Sequence, residues 1–317
     1  MNHDHHDPAN EEEDHVHESG PLVELVTLRD WLRYALSRFN RAGIFCGHGL
    51  VSPFDEAAYL LMHKLALPAE RLELFLDACI PIEERIPLLE TIEQRADERI
   101  PAAYLTGEAW LGEFSFRVDP RVIIPRSFFA QQLATGMAPW IEEPGSVTSA
   151  LDMCTGSGCL AILMAHAFPH ARVTAADLSA DALDVAAENV ADYGLDGSIE
   201  LVETDLFSAF GPEDRFDLIV CNPPYVTTES METLPPEYLH EPSMALAAGD
   251  DGLDLVRRLL NDAQFHLNSG GILAVEVGHN REIVDAAFPQ LPLTWIGEAE
   301  GEDKIFLITR EQLAGEP

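Results

Sequence analysis

Positive charge is scarce in this chain. Nineteen Lys and Arg stand against 55 Asp and Glu among 317 residues, for a formal net charge of −36. A face that grips phosphate backbones must supply Lys and Arg, so non-specific attraction to nucleic acid is disfavoured. So acidic a surface suits a basic protein partner. The acids are spread along the whole chain, however, which favours a solvated surface adapted to high salt, where charge is screened. That reading weakens the argument against nucleic acid without removing it. Long hydrophobic runs are missing too: no apolar stretch approaches the ~20 residues that a membrane-crossing helix needs. The N-terminus is acidic and His-rich, not basic and then apolar as in a secretory leader, so a cytoplasmic location is expected. CxxC pairs are also absent. Cys46, Cys79, Cys154, Cys159 and Cys221 are odd in number and scattered, as expected of thiols that stay reduced in the cytosol. The spacing of Cys154, Cys159 and Cys221 fits small buried residues beside strand ends better than metal ligands, and no metal is expected.

What is present divides the chain. Its length allows two domains, or one with an appendage, and a substantial core. Residues 1–20 carry seven Asp/Glu, five His and one aliphatic residue, Val16, too little apolar surface to order a segment. Residues 21–106 read as helical. LRDWLRYALSRF puts Leu28, Trp31, Leu32, Ala35, Leu36 and Phe39 on one stripe at three- and four-residue spacing. Later segments continue in that style, predicting a small all-α domain of four or five short helices. Residues 107–130 read as a β-hairpin linker, with Trp110, Phe114, Phe116, Val118, Val122 and Ile123 at strand spacing, Asp119-Pro120 as the turn, and a helix opening at Arg126 and Ser127. Residues 131–317 form the remaining domain, in which, from Ser149 onward, apolar strands alternate with helices of about a dozen residues. That pattern predicts a doubly wound α/β sheet, with an antiparallel hairpin at its edge.

The chemistry-bearing residues lie at predicted strand ends. Asp152 to Cys159 reads DMCTGSGC, closing the first strand of the sheet and opening its first helix. Glycines in such a turn let backbone N–H groups approach a ligand, and the helix N-terminus favours negative charge. Asp177 follows Gly156 by 21 positions at the end of the second strand, where an acid accepts hydrogen bonds from both ribose hydroxyls of an adenosine. An adenosine-containing cofactor is favoured over a merely structural turn. NAD is compatible with this evidence, although Ala161 stands where the third fingerprint glycine belongs. Asp205-Leu206-Phe207 ends the third strand. Asp205 there can accept from the exocyclic amine of adenine while Leu206 and Phe207 flank the ring, or it can cap a helix; the two readings are equal.

The fourth strand ends in Asn222-Pro223-Pro224-Tyr225, expected beside the first strand at the switch point of the sheet. An amide nitrogen is a poor nucleophile because its lone pair is delocalised. The Asn222 side-chain oxygen and the Pro223 carbonyl are two acceptors for both N–H groups of such a nitrogen. Binding them favours pyramidalisation as the nitrogen attacks, a gain confined to the transition state. Tyr225 offers a face for a planar amide or base, and the prolines hold both acceptors at a fixed angle.

These motifs resemble the class I S-adenosylmethionine-dependent methyltransferases with an N/D-P-P-Y/F signature, which act on adenine or guanine amines or on protein glutamines. The helical N-terminal region, the hairpin and the IIPR that precedes the core are similar to the protein-(glutamine-N(5)) methyltransferases. That family has one branch acting on peptide release factors and another on large-subunit ribosomal protein three. Ile124-Pro125-Arg126-Ser127 lacks the proline and acids that follow IPR in the release-factor branch. LDMCTGSGCLAI, HEPSMALAAGDDGLDLVRRLL and VEVG look like the ribosomal-protein branch.

The resemblance, over residues 25–313, implies an α/β fold: a class I methyltransferase (Rossmann-like) seven-stranded sheet with a small N-terminal all-α domain joined by a β-hairpin. It implies S-adenosylmethionine as cofactor, held by Cys154, Thr155, Gly156, Ser157, Gly158 and Asp177, with Asp205, Leu206 and Asn222 alongside. Cys154 departs from the glycine of many relatives. It implies that Asn222, Pro223, Pro224 and Tyr225, with Arg126, bind the target glutamine, and that Asn222, Pro223 and Tyr225 are catalytic. Arg126, Glu241 and Glu276 either line the pocket or serve as salt bridges. The implied partner is large-subunit ribosomal protein three, with no membrane and no direct nucleic-acid specificity. Methylation of release factors, methylation of nucleic-acid amines, and a non-catalytic ribosome assembly role are the alternatives; the last is opposed by the intact glycine loop, Asp177 and NPPY.

Overall fold

The alternation of apolar strands and helices in the second half of the chain folds into one seven-stranded sheet, preceded by a helical region and a hairpin. The computed structural model describes residues 20–297 and 303–315; the acidic His-rich segment, apart from Gly20, lies outside them. Six short helices come first: α1 (Pro21–Glu24), α2 (Leu28–Ala42), α3 (Pro53–Lys64), α4 (Leu72–Phe75), α5 (Ile82–Ala96) and α6 (Ala102–Thr106). The expected four or five become six because α1 and α4 are single turns too short to carry a helical stripe. In α2 a capping box between Thr27 and Asp30 fixes the start, and Gly43 in the left-handed region ends it. Five of the six stripe residues are buried, Leu36 being half-buried, and Trp31 Nε1 donates to the Leu25 carbonyl at 3.1 Å.

The hairpin comprises β1 (Glu108–Leu111) and β2 (Phe114–Arg117). Leu111 pairs with Phe114, so its turn is Gly112-Glu113 and not Asp119-Pro120. Gly112 takes φ +63°, the left-handed conformation a two-residue connection requires. Asp119 instead accepts from the Arg121 backbone N–H in a local turn further on. Helix α7 (Phe129–Ala134) starts two residues beyond Ser127.

The sheet follows as β3 (Ser149–Met153), α8 (Cys159–Ala167), β4 (Arg172–Asp177), α9 (Ala180–Asp192), β5 (Ile199–Glu203) and β6 (Phe216–Cys221). Then come α10 (Thr228–Met231), α11 (Asp254–His266), β7 (Leu267–Glu276), α12 (Arg281–Ala287), β8 (Thr294–Gly297), β9 (Asp303–Thr309) and α13 (Arg310–Ala314). The strand order is β5-β4-β3-β6-β7-β9-β8. The first five strands are parallel, and β9 runs antiparallel between β7 and the edge strand β8. This is the class I methyltransferase sheet. One face packs on α7 and α8 through Phe129, Leu133, Ile162 and Phe168; the other packs on α11 through Val256, Leu259 and Ala263. The helical region has its own core around Trp31, Phe39, Leu60 and Ile92. No helix among the described residues is long and apolar enough to cross a membrane.

A buried ion network ties the helical region to the segment that follows NPPY. Arg95 on α5 pairs with Glu56 at 2.5 Å and with Glu237 at 3.1 Å, and Arg99 reaches Glu237 at 3.1 Å. Arg95 also donates to the Phe45 carbonyl, and Glu237 accepts from the Phe45 backbone N–H at 2.9 Å. Removing one partner of a buried pair leaves the other charge uncompensated, which costs about 3 kcal/mol or more. Glu237→Ala is therefore expected to lower unfolding stability by about 3 kcal/mol in urea denaturation. A loss confined to surface-pair values, below about 1 kcal/mol, would contradict the network's importance.

Candidate functional site

Two loops meet where the winding of the sheet reverses, because β3 and β6 are neighbours with Met153 opposite Cys221. The loop after β3 folds tightly: Cys154, Gly156 and Gly158 all have positive φ, at +63°, +55° and +79°. Asp152 holds it from beneath. Its Oδ2 accepts from Thr155 Oγ1 at 2.5 Å and from the Ala161 backbone N–H at 2.9 Å, binding the loop to the first turn of α8. Burial pushes the Asp152 carboxyl up to about 7 against these two donors, and Oδ1 has no partner. Sequence reasoning quoted Asp152 within the motif but gave it no role. An acid at a fully apolar strand end was the available signal.

The glycines differ in purpose. A side chain at Gly156 meets nothing within 4 Å, so its backbone faces open space, whereas a Cβ at Gly158 sits 3.1 Å from that of Ala186 on α9. Gly158 is thus a packing glycine, and it does not line the cavity in front of the loop. Cys154 adopts a left-handed conformation that glycine takes without strain, a cost of roughly 1–2 kcal/mol for other residues. Asn189 on α9 supports the loop from the side, donating to the Ser157 carbonyl at 2.9 Å and to the Arg117 carbonyl at 3.1 Å, so the hairpin and the loop share one buried amide.

Asp177 ends β4 on the same rim. Its Oδ2 accepts from the Gly156 backbone N–H at 2.8 Å and its Oδ1 from that of Ser179 at 2.9 Å. Burial raises its pKa, and these backbone donors oppose the rise. A cavity of about 320 Å³ opens in front, lined by Cys154, Thr155, Gly156, Ser157, Asp177, Asp205, Leu206, Asn222 and Pro224 among others. Leu206 is held at φ +51°. The Asp205 carboxylate makes no helix cap; it pairs with Arg258 on α11 at 2.8 Å. Phe207 does not flank this cavity. Its ring is buried and stacked on His266 at 4.6 Å, because the third strand ends at Glu203 and the turn carries residue 207 into the core.

The NPPY turn forms the partition to a second cavity of about 670 Å³, lined by Asn222, Pro223, Tyr225, Arg126, Ser127 and Glu276 among others. Asn222, Arg126, Ser127, Ile123, Pro125 and Ala245 belong to both cavity walls. Among the described residues, no protein donor engages the Asn222 side-chain oxygen or the Pro223 carbonyl. The turn is braced from behind. Asn280 Nδ2 donates to the Tyr225 carbonyl at 2.7 Å, and the Val226 and Ala248 backbones bond to Leu246 and Val226 in turn. A Cβ at Gly278 would lie 2.8 Å from the Tyr225 ring, and one at Gly252 would lie 2.6 Å from its carbonyl oxygen. Gly252, Gly278 and Asn280 are functional supports that sequence reasoning did not identify. The glycines in GDDGLD and VEVG were their only trace.

Arg126 is committed to Glu241 by two bonds, at 2.5 and 2.6 Å, and its guanidinium lies 5.2 Å from the Tyr238 ring centre. Burial pushes the Glu241 carboxyl up, but His48, 3.7 Å away, and Arg126 outweigh it and hold the group at about 2. Glu276, at the end of β7, accepts through Oε2 from Ser127 Oγ at 2.6 Å and from the Phe128 backbone N–H at 3.0 Å. Among the described residues, no group of three or more His, Cys, Asp or Glu is arranged to hold a metal. Cys159 and Cys221 are buried, and burial pushes the Cys159 thiol up to about 12.

Residues 137–249 match the family model described as Methyltransferase small domain. Over longer spans the chain is similar to proteins named ribosomal protein uL3 glutamine methyltransferase. The one from Neisseria meningitidis serogroup A is 55% identical over 302 residues, covering 95% of this chain and 99% of the relative. That from Bordetella pertussis is 55% identical over 290 residues, covering 92% and 97%. That from Xanthomonas campestris is 43% identical over 290 residues, covering 92% and 93%.

The contrast between the two loop glycines is testable by thermal melting. Gly156→Ala carries only the backbone strain of a positive φ, whereas Gly158→Ala adds a contact against Ala186. The second is expected to lose about 2 kcal/mol and to melt below the first; the reverse order would refute the packing assignment.

Proposed function

The chain belongs to the ribosomal protein uL3 glutamine methyltransferases, and we propose that it transfers a methyl group from S-adenosylmethionine to the side-chain nitrogen of a glutamine in uL3, large-subunit ribosomal protein three. The observation that carries the proposal is the position of Asn222, which stands in the walls of both cavities with its side-chain oxygen unengaged by any described residue.

The smaller cavity fits the cofactor. Open backbone at Gly156, the Asp177 carboxylate and the apolar Leu206 supply a glycine cradle, an acceptor for ribose hydroxyls and a surface for adenine. Cys154, Thr155, Ser157 and Asp205 complete this wall, and Gly158 sets the shape of the loop. When bound, S-adenosylmethionine supplies an electrophilic methyl group on a sulfonium.

The larger cavity takes the glutamine. Asn222 Oδ1 and the Pro223 carbonyl accept the two N–H groups of the amide, and Tyr225 stacks on its plane. Pyramidalisation of the nitrogen becomes favourable in this clamp only as the new bond forms, so the stabilisation acts on the transition state. Pro223 and Pro224 remove backbone freedom, and Asn280, Gly252 and Gly278 lock Tyr225 from behind, so the acceptors need no reorganisation. Arg126, paired to Glu241, braces the wall that the two cavities share. The formal net charge of −36 suits a basic ribosomal protein as partner.

Incubation of the protein with labelled cofactor and either purified uL3 or a purified release factor is expected to label uL3. Label on the release factor alone overturns the branch assignment. Asn222→Ala is expected to lower transfer by about two orders of magnitude or more while calorimetry still detects cofactor binding. Near-normal turnover would refute the amide clamp.

A further inference from the structure

Glu276 is a fully buried acid on the wall of the larger cavity, at the end of the strand next to that of Asn222, with Cys221 opposite Val275. Among the described residues, only one of its two oxygens finds a partner. Oε2 accepts from Ser127 and Phe128, whereas the buried Oε1 has no hydrogen-bond partner. A carboxylate oxygen left unmatched in the protein interior is costly. Anchoring of the other oxygen by a hydroxyl and a backbone N–H fixes the orientation of the group, and Ser127, which supplies that hydroxyl, lines both cavities.

The two acceptors of the amide clamp, an amide oxygen and a peptide carbonyl, are very weak bases. They orient the N–H groups but cannot retain a proton. Resting on the glutamine methyltransferase reading, we propose that Glu276 Oε1 accepts the proton that the glutamine nitrogen sheds on methylation. The nitrogen lone pair forms the bond to the methyl carbon, and the carbon–sulfur electron pair stays on sulfur. One N–H proton leaves the clamp acceptor that held it and passes to the Glu276 carboxylate, its bonding pair remaining on nitrogen. A cationic N-methyl amide and a carboxylate thus become a neutral N-methyl amide and a carboxylic acid. Before the proton moves, the carboxylate also stabilises the positive charge that grows on nitrogen in the transition state.

The surroundings of Glu276 match this task. Burial pushes its carboxyl up to about 7, opposed by the donors Ser127 and Phe128 and by the charges of Arg126 and Lys304. Lys304 comes from β9 and lies over the Phe128 ring at 4.0 Å; Tyr225 and His279 line the same cavity. A base of this strength is about half ionised at neutral pH, ionised above it and readily protonated. The kcat of the wild-type protein is therefore expected to fall as pH drops below about 7, when the carboxylate becomes neutral.

The test measures kcat and KM against pH with whichever protein the wild type methylates, uL3 or release factor. Glu276→Gln keeps the shape of the side chain and an acceptor for Ser127 and Phe128. It is expected to lower kcat at pH 8 at least about tenfold, to leave KM within a few-fold, and to abolish the acid limb. Ser127→Ala removes a donor that favours the charged form, so its acid limb is expected to move to higher pH. Retention of wild-type kcat and the acid limb by Glu276→Gln overturns the proposal while leaving the clamp intact. If Glu276→Gln fails to fold, an unmoved limb in Ser127→Ala overturns it instead. Absence of transfer by the wild type to either protein overturns the glutamine reading and this proposal with it.

Discussion

The parallel pairing of β3 with β6 is the constraint on which the rest of the molecule depends. It sets Met153 opposite Cys221, so the glycine loop and the NPPY turn emerge side by side at the reversal of the sheet. Helices on both faces follow from the apolar strands, and the cavities open at the carboxyl ends because loops there diverge to opposite sides. One residue of slip in that register would exchange the faces of β6. Asn222 would then leave the partition between the cavities.

Rigidity at the partition is built from several weak-looking parts. Prolines restrict the turn, two distant glycines make room for Tyr225 and its carbonyl, and Asn280 ties that carbonyl down. Asp152 and Asn189 do the same for the glycine loop through buried polar bonds. In each case a side chain satisfies backbone groups that a tight turn cannot pair for itself, the usual requirement on polar groups withdrawn from water.

Much of this was legible in the chain. Strand–helix alternation carried the sheet, and Asp177, the NPPY residues and those of DMCTGSGC other than Asp152 and Gly158 line the two cavities. Motifs were readable because their residues are contiguous or lie at a spacing fixed by one strand–helix–strand unit. Supports contributed from afar were not: Gly252, Gly278 and Asn280 reach Tyr225 only through tertiary packing. The hairpin turn was misplaced because Asp-Pro is a strong turn signal, while Gly112-Glu113 is shorter and less conspicuous. Phe207 was misplaced for a related reason: strand periodicity does not say which way the turn after the last paired residue sends the next ring. The affiliation with glutamine rather than base substrates rested on resemblance of the flanking regions, and the relatives support it.

The network around Arg95 and Glu237 bears on how such an enzyme can be rearranged. The helical region and the catalytic sheet do not meet across an indifferent surface: Arg95 of the one and Glu237 of the other form a buried pair, and Glu237 is supplied by the catalytic half only 12 positions after Tyr225. The helical region is therefore not a free module. A chimera that exchanges it for the corresponding region of another protein inherits an unmatched buried carboxylate beside the active site unless residues 236–240 travel with the graft.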